Sequence, residues 1–120
     1  MRQIPVDTSG MSWMLLQAPE PKLKDRETGE AARDRDSGKV LFNVSVALMM
    51  QDAKPDALVV VVAEDGLQQD LMPGMPVEFP GLVARPWEAV LGGRPQHGIS
   101  LRAIAVTAKT PAPAASNGKG

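Results

Sequence analysis

Cysteine is missing from this chain altogether, so disulfides, thiolate metal sites and cysteine nucleophiles are excluded at once. One histidine, His97, leaves most zinc and histidine-relay chemistry without its ligands. Charge of one sign is also missing: 13 basic residues stand against 14 acidic ones, net -1, so no global field draws the protein to a polyanion. Long apolar runs are absent, the longest being Ala57 to Ala63 against the ~20 residues that span a bilayer. The stretch Met1 to Gly10 carries Arg2 and Asp7 and no apolar run, so no signal peptide is expected and the protein is expected in the cytoplasm. No glycine-rich loop has phosphate-cradling spacing and no Gly-x-Ser-x-Gly elbow exists. His97 lies between Gln96 and Gly98 with no preset carboxylate or serine, and Asp34/Asp36 and Glu64/Asp65 read as solvated charge. An enzyme is not expected, nor a metal or cofactor.

What is there begins with 11 glycines and 11 prolines, which argue for many turns and short strands rather than long helices. One hundred and twenty residues, 43% of them hydrophobic, suit one small domain. Charge is unevenly placed. Residues 1–39 balance, residues 40–79 carry Lys54 against six carboxylates, and residues 80–120 carry five cations against Glu88. Ten of the sixteen residues in 24–39 are charged, so this stretch predicts a solvated, flexible loop or a loop that closes over a ligand. From Thr110 to Gly120 the chain holds nothing to pack and is expected to be a disordered tail following a domain of residues 1–109.

Between these pieces the hydrophobic period is two. Val40, Phe42, Val44, Val46, Leu48 and Met50 occupy alternate positions, a half-buried strand. Ala57 to Ala63 reads as a strand covered on both faces, Met75 to Leu82 and Ile99 to Ala105 as two more. Met11 to Leu23 opens the set, with Pro19 and Pro21 making its second half an edge or a bulge. Glu64 to Met72 is the one plausible helical turn. The predicted fold is all-β: a five-stranded antiparallel Greek-key barrel with at most one short helix, since five strands need closure or cover to hide their edges.

The order of elements in residues 11–107 resembles the OB fold of bacterial single-stranded-DNA-binding proteins. The passage Asp36-Ser37-Gly38-Lys39-Val40-Leu41-Phe42-Asn43-Val44-Ser45-Val46-Ala47 carries the likeness, followed by Leu71, Gly74, Val77, Phe79 and Gly81, then Pro86-Trp87-Glu88 and Gly92-Gly93. A second resemblance spans nearly the whole chain: Ile4 to Met11, Ala18-Pro19-Glu20-Pro21-Lys22, Asp25 to Gly29, Pro73-Gly74 and Ala84 to Glu88 are similar to small regulatory proteins of actinomycete plasmids and integrative conjugative elements. These likenesses imply an accessory protein of replication or transfer in a mobile element.

OB folds bind through the face of strands two and three and the loops joining strands one to two and four to five. On the strand assignment above, those loops are Lys24–Lys39 and Glu88–Gly98. The expected nucleic-acid-binding residues are Lys24, Arg26, Arg33, Arg35 and Lys39 of the first, Arg94 of the second, and Arg85, Trp87 and Arg102 flanking the mouth. His97 also falls in the second loop. A base-stacking ring has to be Trp13, Phe42, Phe79 or Trp87; Phe42 and Phe79 alternate with polar residues and read as core, while Trp87 reads as either. The expected partner is single-stranded DNA. The alternative is a module that holds a replication or transfer protein without touching DNA; homo-oligomerisation stays open and no membrane partner is expected.

Overall fold

A computed structural model describes residues 3–25 and 27–109. Arg26 and the expected tail beyond Lys109 lie outside the described residues. The chain forms β1 (Ile4–Pro5), β2 (Met11–Leu15), β3 (Glu20–Pro21), β4 (Leu23–Asp25), β5 (Glu30–Ala31) and β6 (Leu41–Met50). It continues through β7 (Asp56–Ala63), a single 3-10 turn at Glu64–Gly66, β8 (Pro76–Glu78), β9 (Val83–Leu91), β10 (Arg94–Ala103) and β11 (Thr107–Ala108). The architecture is nearly all-β, a curled open sheet, and five strands (β2, β6, β7, β9 and β10) are five residues or longer.

The sheet runs β1-β9-β10-β7-β6-β2-β8-β11, with β3 added beside β6, while β4 and β5 form a separate ribbon. Near its two ends lie β8 and β9, which are consecutive in the chain and separated only by Phe79 to Leu82. So short a connection forces the sheet to curl until those ends approach. The curled face encloses Trp13, Leu15, Val44, Val46, Val60, Val62, Val77, Phe79, Leu82, Ala103 and Val106. Valine dominates because a β-branched side chain loses little freedom on a pleated surface.

Pairing corrects the sequence reading in several places. The barrel strands were expected to be antiparallel throughout, yet β7 and β10 pair in parallel, Leu101 beside Val60 and Ala103 beside Val62. The crossover of residues 64–93 returns the chain to the same end of the sheet, and no local pattern encodes that. Met11 to Leu23 divides into β2, β3 and the start of the ribbon at β4, with Pro21 on a short strand beside Phe42. Met75 to Leu82 divides likewise: only Pro76 to Glu78 form a strand, pairing with β2 on one side and β11 on the other, before the chain bends at Pro80-Gly81. β7 is buried on one face only, with Val60 and Val62 at 0% exposure and Val59 at 47%.

The largest correction concerns Glu88–Gly98, expected as a loop. These residues are the outer half of a long hairpin, β9 and β10 pairing from Arg94 beside Leu91 to Arg102 beside Val83. Gly92 and Gly93 both have positive φ, 59° and 79°, as a two-residue type I′ turn requires. In such a hairpin Leu91 and Arg94 close a hydrogen-bonded pair, and every second pair after it lacks ladder bonds. Pro95 beside Val90 and Pro86 beside Ile99 both fall on non-bonded pairs. Their nitrogens face outward, where a missing N–H costs the ladder nothing. Both prolines are therefore compatible with strands, and they blunt both edges against a further strand.

Candidate nucleic-acid interface

Cross-strand partners point to the same face of a sheet. Arg85 stands beside Ser100, Trp87 beside Gly98, and Arg102 beside both Val83 and Val61. All lie on the outer face, opposite the core. Leu41 and Val61 extend this face onto β6 and β7, and the segment of Lys22 closes one side. Together Lys22, Leu41, Val61, Arg85, Trp87, Ser100, Leu101 and Arg102 line an open groove of about 320 Å³.

A second hollow of about 260 Å³ adjoins it, lined by Arg33, Asp34, Arg35, Asp36, Leu41, Arg85 and Arg102. Arg85 and Arg102 belong to both, so five cations (Lys22, Arg33, Arg35, Arg85, Arg102) gather around two carboxylates. The loop reaches this place because β5 is followed by a bridge between Arg33 and Val40. Asp34 N donates to the Lys39 carbonyl at 2.8 Å and Gly38 N to the Asp34 carbonyl at 2.9 Å. Val40 N donates to Glu64 Oε1 at 3.1 Å, which fixes the loop to the 3-10 turn.

Several of the cations already have partners. Arg33 Nη1 donates to the Gly38 carbonyl at 3.0 Å. Arg102 Nη2 pairs with Asp34 Oδ1 at 3.2 Å. The Gln3 amide, with its oxygen turned toward Arg85, accepts from Nε at 2.9 Å and from Nη2. The Ser37 hydroxyl, donating to Asp34 Oδ2 at 2.9 Å, and then Arg102 hold the Asp34 carboxyl below its ordinary range. An arginine carries five donors, so each of these contacts leaves capacity for an anion.

The four rings divide by position. Trp13 is 5% exposed and meets Phe79 edge-to-face, centroids 5.2 Å apart at 86°, so both belong to the core. Phe42 is half-buried and stands outside the core cluster, a departure from the sequence reading. Trp87 is also half-buried and lies directly over Gly98: a Cβ at position 98 would fall 2.6 Å from Cζ2 and 2.8 Å from Cε2. A glycine here opens the seat on which the ring rests. Gly98→Ala is therefore expected to push Trp87 off the strand and shift tryptophan emission to the red while the melting curve stays near that of the wild type. Unchanged emission would show that the ring does not need this seat.

Compared with protein-family models, curated proteins and solved structures, the chain matches none.

Of the expected binding residues, Arg33, Arg35, Arg85, Trp87 and Arg102 come together. Lys24 on β4 and Lys39 line neither hollow, and Arg94 sits beside the hairpin turn. Arg26 lies outside the described residues. His97, expected in a loop, is on β10 beside Glu88, lining a separate depression near the hairpin end. Sequence reasoning missed Lys22, Ser100 and Gln3. Only for Ser100 was a signal present, its alternation with Leu101 on a strand already recognised. Among the described residues no three histidine or carboxylate side chains form a metal-sized cluster, and no helix is long and apolar enough to cross a membrane.

Proposed function

We propose that this protein is a nucleic-acid-binding module with a preference for single strands, built on an OB-like five-stranded barrel. On this reading it serves as an accessory or regulatory protein in replication or transfer of an actinobacterial mobile element, a context that rests on the resemblances in its sequence. The observation that carries the binding reading is the half-buried Trp87 ring, seated on Gly98 in the same groove as Lys22, Arg85 and Arg102. A ring with an accessible surface beside several cations offers what an unpaired nucleotide presents: a π-face to stack and a phosphate to neutralise. A duplex, with its bases already stacked, can use only the cations.

Net charge of -1 provides no long-range attraction, so affinity has to come from these local contacts. Each phosphate neutralised on a single strand contributes about -0.7 to the slope of log K against log salt. Three to five contacts from Lys22, Arg33, Arg35, Arg85 and Arg102 give an expected slope of roughly -2 to -3.5. Fluorescence anisotropy with a labelled oligothymidylate and with a duplex of equal length, across a salt series, tests this. Absence of salt-dependent binding to the single strand at micromolar protein sinks the reading.

A second reading, an interaction module for a replication or transfer protein, is favoured by a different feature. Val90 and Ile99 on the β9–β10 hairpin are 72% and 67% exposed. Pro86 and Pro95 share their face, beside the Glu88 and His97 pair. If Val90→Ser with Ile99→Ser leaves oligonucleotide affinity unchanged while abolishing capture of an element-encoded protein, this reading takes precedence.

A further inference from the structure

We propose that Asp34 is an internal counter-anion of the groove: it occupies Arg102 in the free protein and gives way to a phosphate of the bound strand. The inference rests on the nucleic-acid reading of this site and adds a residue that sets its affinity.

The geometry separates what the Asp34 side chain does from what its backbone does. Its backbone is anchored on both sides, N–H to the Lys39 carbonyl at 2.8 Å and carbonyl to the Gly38 N–H at 2.9 Å. The neighbouring Arg33–Val40 bridge and the Arg33 bond to Gly38 hold the loop without the carboxylate. These backbone contacts carry the path of the loop, and the carboxylate adds an acceptor for the Ser37 hydroxyl at 2.9 Å and for the Asp36 backbone N–H. The same carboxylate reaches across to β10, where Oδ1 meets Arg102 Nη2 at 3.2 Å.

Arg102 lines both hollows of the interface, so the cation held by Asp34 is one that an incoming strand would meet. The two side chains are 20% and 18% exposed where the open hollow meets them, so water partly screens the pair and another anion can exchange with the carboxylate. A phosphodiester brings the same charge with tetrahedral oxygens that a guanidinium fork can hold bidentately. Exchange of Asp34 for phosphate then leaves the carboxylate with the Ser37 hydroxyl, the Asp36 N–H and water, and some of the strand's attraction is spent on the exchange. Ligands of low charge density would fail to displace it. Asp36 lines the same hollow and serves as a control for net charge, because the ion pair to Arg102 is made by Asp34.

The test measures oligothymidylate binding by the full chain for wild type, Asp34→Asn, Asp34→Ser and Asp36→Asn across a salt series, with melting curves for each. Both Asp34 variants are expected to bind several-fold tighter at low salt with the log–log slope unchanged, because the same phosphate meets Arg102 in the complex with or without the exchange. Asp36→Asn should tighten binding less. Equal tightening by the Asp34 and Asp36 variants would reduce the effect to net charge and overturn the counter-anion role. So would folded Asp34 variants with wild-type or weaker affinity. If no version, wild type included, binds the oligonucleotide, the nucleic-acid reading itself fails and the counter-anion role fails with it.

Discussion

Replacing Trp13 by alanine should lower the free energy of unfolding by about 3–5 kcal/mol, the range for a large aromatic removed from a core. The ring is 5% exposed. Its strand neighbours are Leu48 on β6 and Val77 on β8, so it bridges the long hairpin and the short strand near the end of the sheet. Its edge-to-face contact with Phe79, at 5.2 Å, adds the residue at which the chain leaves β8 and begins its bend toward β9. Truncation therefore leaves a cavity where the curl is held, and the valines around it, stiff at χ1, collapse poorly into the space. A small domain has only about 5–15 kcal/mol in total, so the variant should be largely unfolded at moderate urea. Urea titration followed by far-UV circular dichroism measures this. A loss below about 1 kcal/mol would mean that the core closes without the ring.

Trp87→Ala should leave the fold intact and weaken single-strand binding by about 1–3 kcal/mol, the measured range for one stacked base. At 1.4 kcal/mol per decade that is roughly a 5- to 150-fold rise in Kd. The different expectation for two tryptophans follows from their faces. Trp13 points into the curl, whereas Trp87 lies on the outer side of a two-stranded hairpin, supported by Gly98 and flanked by Arg85 and Ser100. Anisotropy with one oligonucleotide, combined with a melting curve, separates the two roles. A folded Trp87→Ala protein with unchanged affinity removes the stacking claim, and a large drop in melting temperature would assign the ring to packing instead.

Much of the β-structure could be read locally. Val44 and Val46 fall on the buried face of β6 as their alternation requires, because a one-residue slip would turn the whole hydrophobic set to solvent. Pro19 and Pro21 did confine their segment to a short strand at the side of β6. The hairpin of β9 and β10 was legible in principle from Gly92-Gly93. It was hidden because a proline is tolerated or forbidden according to its parity from the turn, and composition does not carry parity. The run from Ala57 to Ala63 misled for a related reason. Valine on an open outer face and valine in the core are the same letter, and only the partner strand tells them apart.

The sequence by itself determined the class of structure, turns such as those at Pro73-Gly74 and Gly92-Gly93, the absence of cysteine and most histidine chemistry, and a short set of cations that could meet an anion. These follow from short-range sterics and from composition, which act within a few residues. The tertiary structure alone decided which cations share a groove, bringing Lys22, Arg33 and Arg35 to Arg85 and Arg102 while leaving Lys24, Lys39 and Arg94 elsewhere. It alone decided that Trp13 is core and Trp87 stands at the groove, and that Asp34 holds Arg102. Those outcomes depend on strand register between segments tens of residues apart, such as the parallel pairing of Leu101 with Val60. Register of that kind is set by closing the whole curled sheet around its core, so no local stretch of the chain records it.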